Sequence, residues 1–142
     1  MHELEQKMRA RHDANRFMVH NFAELESVEP DRAVVKLEIR DESKNPAGMV
    51  HGGALFTMAD NAAGTAVHTD GRHYVTQTSS FHFFNNQREG TIRARAVVKH
   101  RGKSTAMAAV EIVGTNEKLL ASGEFVFFCV DQARMEARGR QK

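Results

Sequence analysis

Tryptophan is absent from this 142-residue sequence, proline occurs twice and cysteine once. A lone thiol, Cys129, excludes an internal disulfide framework and any paired-cysteine redox or zinc motif. Preceded by Phe125, Val126, Phe127 and Phe128, it reads as a small buried apolar residue in a chain suited to a reducing cytoplasm. Long apolar runs are also missing. The longest, Phe125 to Val130, is far too short for a bilayer, and Met1 to Lys7 holds no leader core, so the expectation is a soluble, intracellular protein without a membrane partner. Nor is there an excess of one charge: 20 basic residues against 18 acidic ones leave +2, spread along the chain, which gives nucleic acid no basic stripe to bind. His-Glu-x-x-His and Gly-x-Ser-x-Gly patterns do not occur, so neither a metal site nor a serine-hydrolase elbow is expected. Arg101-Gly102-Lys103-Ser104 imitates the end of a phosphate loop, but Val97 stands where its first glycine belongs, and a hairpin turn explains the run better.

What is present is enough for one compact domain over 1–142, since 41% of the residues are hydrophobic. Residues 3–17 are polar with sparse apolar points and suit a short peripheral helix, and 131–142 form a polar tail. A strand is expected from Phe17 to Val28, followed by the turn Glu29-Pro30-Asp31. In the next strand, Ala33, Val35, Leu37 and Ile39 alternate with charged residues, which is the mark of a half-buried hairpin. Further long strands are expected over Tyr74 to Phe84, Thr91 to Arg101, Ser104 to Gly114 and Leu119 to Val130. A single long helix interrupts them, so parallel βαβ alternation is ruled out and an α+β architecture follows, one helix wrapped by a curved antiparallel sheet of five to six strands.

That helix, from Ala54 to about Val67, is apolar nearly all round, so it belongs inside the molecule. The loop before it, Asp41 to Gly53, is punctuated by glycine at Gly48, Gly52 and Gly53. A glycine-rich approach to a helix start leaves backbone N–H groups open to an oxyanion or a polarised carbonyl. Two turns on stands Asp60, an ionisable residue in an interior that disfavours it. A solitary buried Asp is most often structural, but next to such a loop it becomes a candidate general base or nucleophile. Gly52 and Asp60 are eight positions apart, or ~12 Å along a helix axis, too far for one carbonyl to meet both within a chain. If both act on one substrate, the site is built from two subunits.

The pattern Asn45-x-x-Gly48-x-x-His51-Gly52-Gly53 followed by Thr57-Met58-Ala59-Asp60 resembles the signature of the PaaI-type hotdog thioesterases, and the likeness extends over nearly the whole chain. The resemblance implies hydrolysis of acyl-coenzyme A thioesters without a cofactor, by homodimers or dimers of dimers. It implies that Gly52 polarises the thioester carbonyl through its N–H, that Asp60 of the opposite subunit activates water or attacks directly, and that Asn45 is the polar residue ahead of the helix. Ungapped comparison places at Thr76 the small hydroxyl residue that holds the water, with Thr78, Ser79 and Ser80 as competitors. Strand alternation puts Thr76, Thr78 and Ser80 on one side and Ser79 on the other. His51 and Gly53 enter as substrate-binding support, and Arg101 and Lys103 as residues that could meet coenzyme A phosphates. The family often has Arg-Pro where this chain has Asn85-Asn86, so no contact carries over from that loop. Ala62, Ala63 and Gly64 could leave room for an aromatic or medium-chain acyl group. Two rivals share the fold: an acyl-CoA-binding regulator, and an enoyl-CoA hydratase, for which His68 is a poorly spaced partner to Asp60.

Overall fold

The computed structural model describes residues 2–130, so the tail expected at 131–142 lies outside the described residues. Six strands form one antiparallel sheet in the order β1-β2-β4-β5-β6-β3: β1 (Glu24–Glu29), β2 (Arg32–Glu38), β3 (His73–Phe83), β4 (Thr91–Arg101), β5 (Thr105–Val113) and β6 (Leu119–Val130). The sheet curves round one helix, α3 (Gly52–His68), as the hotdog expectation requires. Two shorter helices, α1 (His2–Ala14) and α2 (Arg16–His20), precede the sheet, and α1 packs on β1.

Alternation drives the sheet. Ala33, Val35 and Leu37 are buried while Arg32 and Glu38 are exposed, and each buried residue faces α3 across the concave side. From α3, Leu55, Met58, Ala59, Ala62, Ala63, Ala66 and Val67 fill that concavity at 0–1% exposure. Small side chains on the helix let it sit close to the strands, and Phe125, Leu37, Ile92 and Ile112 supply the bulk. Ala62 and Ala63 are therefore core contacts, and of the three small residues only Gly64 lines a cleft.

Three sequence expectations change. The strand proposed for Phe17 to Val28 is broken in two, because the Asn15 side chain accepts a hydrogen bond from the Met18 N–H at 3.3 Å and starts a helical turn. Phe22, with φ of 61°, then reverses the chain before β1 begins at Glu24. α3 starts two residues early, at Gly52, because His51 caps it.

The third change concerns faces. β3 carries a bulge between Thr76 and Thr78, with Thr76 opposite Phe127 and Thr78 opposite Val126. Neighbours on β6 point to opposite sides, so the bulge puts Thr76 and Thr78 on opposite faces. Thr76 shares the helix side with Ser79, which pairs with Phe125; Thr78 and Ser80 face away. β3 is also the sheet's edge, and every residue from Val75 to Ser80 is exposed.

Candidate active site

The first turn of any helix presents N–H groups with no carbonyl behind them. In α3 the Gly53 N–H donates to His51 Nδ1 at 2.8 Å, and the N–H groups of Ala54 and Leu55 both donate to the His51 carbonyl, at 2.9 and 3.2 Å. That leaves Gly52, whose N–H has no partner among the described residues. The imidazole thus serves as an N-cap in place of the usual Ser, Thr, Asp or Asn. To accept at Nδ1 it must be the neutral tautomer that carries its proton on Nε2. Gly53, expected to bind substrate, has its N–H taken by this cap, and a Cβ there would sit 3.0 Å from His51 Nδ1.

The loop that delivers Gly52 is held from several sides. Asn45 Oδ1 accepts from the N–H groups of Ala47 and Met49 at 3.0 and 3.1 Å, so its carbonyl side is committed to shaping its own turn. Gly48 lies in the left-handed region, with φ of 82°, where Arg88 passes over it to donate to the Ala47 carbonyl at 2.9 Å. Asn86 clasps the backbone of Val50 from both sides, accepting from its N–H at 3.2 Å and donating to its carbonyl at 2.9 Å. One residue later the His51 N–H donates to the Ser43 carbonyl at 2.7 Å. Sequence reading noted Asn86 only as a departure from the family's Arg-Pro, because a polar residue in a connecting loop gives no local sign of a partner 36 positions away.

Asp60 lies in the middle of α3, partly buried beside β3. Burial pushes its carboxyl above the usual Asp value, and the Thr76 hydroxyl, donating to Oδ1 at 2.8 Å, partly offsets this by favouring the ionised form. Of the hydroxyl residues that the sequence offered, Thr76, Thr78, Ser79 and Ser80, Thr76 is the one that meets Asp60. The two residues open on a cleft of ≈ 240 Å³ that also takes in Asn61, Gly64, Tyr74 and Phe127. Beside Gly52 stands a wall of rings: Phe83 lies 3.6 Å from where a Gly52 Cβ would be, and Phe81 meets Phe83, Phe56 and Phe125 at centroid distances of 5.1, 5.6 and 5.9 Å. Nothing in the sequence pattern identified this wall.

Within one chain these parts form two groups. Asn45, His51, Gly52 and Gly53 gather at the start of α3, while Asp60 and Thr76 meet more than two turns further along. Arg101 and Lys103 belong to a third place, the far end of the helix. There Arg101 donates to the Val67 carbonyl at 3.0 Å, to Asp70 at 2.6 Å, to Tyr74 at 2.9 Å and to Asp31 at 2.7 Å. That guanidinium steadies the negative end of α3 and is already matched by two carboxylates. Lys103 is exposed on the β4–β5 turn, and its carbonyl accepts from Arg72 at 3.0 Å. His68 is tied by both ring nitrogens, Nδ1 to the Gly64 carbonyl at 2.6 Å and Nε2 to the Tyr74 N–H at 3.1 Å, which gives a hydratase no free imidazole there. Burial lowers its pKa to about 4. Among the described residues no three His, Cys, Asp or Glu side chains converge as a metal site would, and no helix is long and apolar enough to cross a membrane.

Comparison with known proteins adds three findings. Residues 47–121, which include the capped helix start, Asp60 and Thr76, match the family described as the thioesterase superfamily. The acyl-coenzyme A thioesterase PaaI of Escherichia coli is 32% identical over 67% of this chain and 69% of its own, and a 1,4-dihydroxy-2-naphthoyl-CoA hydrolase of Listeria monocytogenes is 28% identical over 84% and 93%. The solved structure of the E. coli PaaI protein superposes with a TM-score of 0.86 at 26% identity, covering 92% of this chain and 95% of that one.

Proposed function

The chain belongs to the thioesterase superfamily as a PaaI-like member, and from that premise we propose that it hydrolyses acyl-CoA thioesters with Gly52 and Asp60 as the reacting pair. The observation that carries the reading is the N–H accounting at α3: of the first four donors, only Gly52 is unmatched among the described residues, at a helix start whose partial positive charge favours a developing oxyanion. Asp60 supplies the base. Its carboxylate takes a proton from water as the water oxygen bonds to the thioester carbon; the tetrahedral intermediate then expels the coenzyme A thiolate, which is protonated as the free acid forms. Direct attack by Asp60, through a mixed anhydride that water then opens, is the second route the same geometry allows. Both use the thioester's electrophilic carbonyl and good leaving group, and neither calls for a metal or a cofactor. A single turnover in ¹⁸O-water identifies the second route where water opens the anhydride at the Asp60 carboxyl carbon: the acid then carries an unlabelled Asp60 oxygen and the label enters Asp60, whereas the first route places the label in the acid.

If Gly52 and Asp60 act on one carbonyl, the ~12 Å between them along the helix favours a site shared by two subunits, and the reading is of a homodimer or a dimer of dimers. Support comes from β3, an uncovered edge with Val75 and Phe83 exposed at 44% and 54%, which a second copy would cover while bringing its own α3 alongside. Asn45 shapes the Gly52 loop and offers its amide N–H₂ to the carbonyl, and Thr76 orients Asp60. His51 and Gly53 fix the donor in place, while Lys103, with its side chain in solvent, is the better of the two basic candidates for coenzyme A phosphates. The acyl group is read from a thiol-release panel of acyl-CoA esters with Asp60→Asn alongside. Wild-type turnover on at least one ester, lost by about 10²-fold or more in Asp60→Asn, is the expected result. Undiminished turnover in that variant refutes the assignment.

A further inference from the structure

The extended run from Met49 to His51 that delivers Gly52 is bonded on two sides. On one side it pairs with the segment from Ser43 to Asn45: the Asn45 N–H donates to the Met49 carbonyl at 2.8 Å, the His51 N–H donates to the Ser43 carbonyl at 2.7 Å, and Lys44 lies opposite Val50 between them. In an extended segment the backbone groups of alternate residues point opposite ways, so the N–H and carbonyl of Val50 face away from that ribbon. There the Asn86 amide meets both, standing in for one residue of a third strand, and only the N–H has a second acceptor, the Gln87 carbonyl at 3.3 Å. A ribbon of two strands has little stability alone. Asn86 ties this one to the sheet, because just before it the N–H groups of Phe84 and Asn85 donate to the Leu120 carbonyl of β6 at 2.7 and 3.1 Å.

We infer that Asn86 is a positioning residue for the oxyanion donor, setting where the Gly52 N–H stands relative to the wall of rings. This rests on the reading of Gly52 as the group that polarises the carbonyl. A peptide unit is planar, and the carbonyl of Val50 shares its plane with the N–H of His51. Asn86 Nδ2 holds one edge of that plane at 2.9 Å and the Ser43 carbonyl holds the other at 2.7 Å. The next plane carries the His51 carbonyl and the Gly52 N–H. Its carbonyl is held by the N–H groups of Ala54 and Leu55, so the aim of the Gly52 N–H follows from two consecutive pinned planes. Phe83, the ring that a Gly52 Cβ would meet at 3.6 Å, stands three residues before Asn86, and one connection thus sets both donor and wall. Releasing the Val50 carbonyl lets the first plane tilt and the donor drift. A displacement of about 1 Å is enough to forfeit much of a preorganised group's effect.

The test uses Asn86→Ala, which deletes the clasp, and Asn86→Asp, which keeps an acceptor for the Val50 N–H but turns an oxygen on the Val50 carbonyl. Both should fold, because Arg88 still holds the Ala47 carbonyl and the Gln87 carbonyl still accepts from Val50. Each is assayed by thiol release on the ester that the wild type cleaves best, alone and combined with Gly52→Pro. In the otherwise native chain kcat should fall about tenfold with KM within about twofold, because the donor acts on charge that develops only in the transition state. In the Gly52→Pro chain, which has no N–H to aim, the same change should cost less than about twofold. A clasp that merely stabilises the loop would lower the rate equally in both backgrounds or move the melting temperature alone. Equal losses in the two backgrounds, unchanged kcat in the folded Asn86 variants, or failure of both variants to fold overturns the inference. Gly52→Pro by itself keeps the claims apart: turnover as fast as in Gly52→Ala sinks the oxyanion reading, while an impaired Gly52→Pro that still loses tenfold with Asn86→Ala sinks only the role of Asn86.

Discussion

Replacing Gly52 by proline deletes one atom pair that the proposed chemistry depends on and little else. Gly52 is the first residue of α3, where proline's fixed φ suits a helix and its missing N–H breaks no internal bond. His51, before it, sits at φ −64° and ψ 135°, the extended conformation that a following proline requires. A side chain at 52 meets only the edge of the Phe83 ring, at 3.6 and 3.7 Å, an ordinary contact. The helix and its cap should therefore survive. An oxyanion donor is worth ~3 kcal/mol of barrier, and ~1.4 kcal/mol is tenfold in rate, so kcat should fall about 10²-fold. Gly52→Ala is the control: it keeps the N–H and adds the same Cβ, so its loss should stay within about tenfold and reports obstruction alone. Both variants are followed by thiol release under saturating acyl-CoA, with circular dichroism melting to verify the fold. Should folded Gly52→Pro turn over as fast as Gly52→Ala, the Gly52 N–H does not polarise the carbonyl.

Thr76→Val removes the hydroxyl that favours ionised Asp60, so the carboxyl rises further and the acid limb of the pH–rate profile moves up. A hydrogen bond to a charged group is worth ~1.5 kcal/mol at the exposed end of its range, so activity on that limb should drop about tenfold while the plateau changes by less than about threefold; profiles that superimpose would remove Thr76 from the site. His68 is neutral in the folded chain with a pKa of about 4, whereas the unfolded chain takes up a proton near 6.5. Its contribution is thus complete above pH 6.5 and lost as pH falls toward 4, by up to ~3 kcal/mol and about 2 after partial solvent exposure is allowed for. Urea midpoints at pH 7 and 4.5 measure it; the drop should flatten in His68→Gln, and parallel curves would refute the assignment.

The features that sequence made legible are those with a local period. Alternation located β2 and gave its buried residues, and β6 runs from Leu119 to Val130 as expected. The all-round apolar pattern put α3 at the centre, and ungapped comparison with the family pointed to Thr76 as the residue that holds the water, while its hydrogen bond to Asp60 at 2.8 Å is a fact of the fold alone. What was not legible depends on partners remote in sequence or on one local exception. The β3 bulge reverses the faces beyond Gln77 through a register that only β6 defines. His51 caps a helix although imidazole is an uncommon cap, which hid the true start of α3. Arg101 looked like a free cation for phosphates because nothing nearby reveals Asp31 and Asp70, 70 and 31 positions away.

Whether one site takes Gly52 from one chain and Asp60 from another can be asked with two inactive proteins. In a twofold dimer each site would contain the helix start of one subunit and the acid of the other. Gly52→Pro and Asp60→Asn chains, unfolded together and refolded at equal concentration, would then give mixed dimers with unlike sites. One site unites both lesions. The other combines the intact Gly52 of the Asp60→Asn chain with the intact Asp60 of the Gly52→Pro chain. Random pairing makes half the dimers mixed, and half their sites are whole, so activity should return to about a quarter of wild type from two nearly inactive stocks. A site contained within one chain has no such route, because every chain in the mixture carries a lesion. Recovery near a quarter, absent when the stocks are mixed without unfolding if the dimers exchange slowly, places the two groups on opposite subunits. No recovery from a mixture that sedimentation shows to contain mixed dimers would mean that Gly52 and Asp60 do not act across a subunit boundary, and the two-chain site would have to be given up.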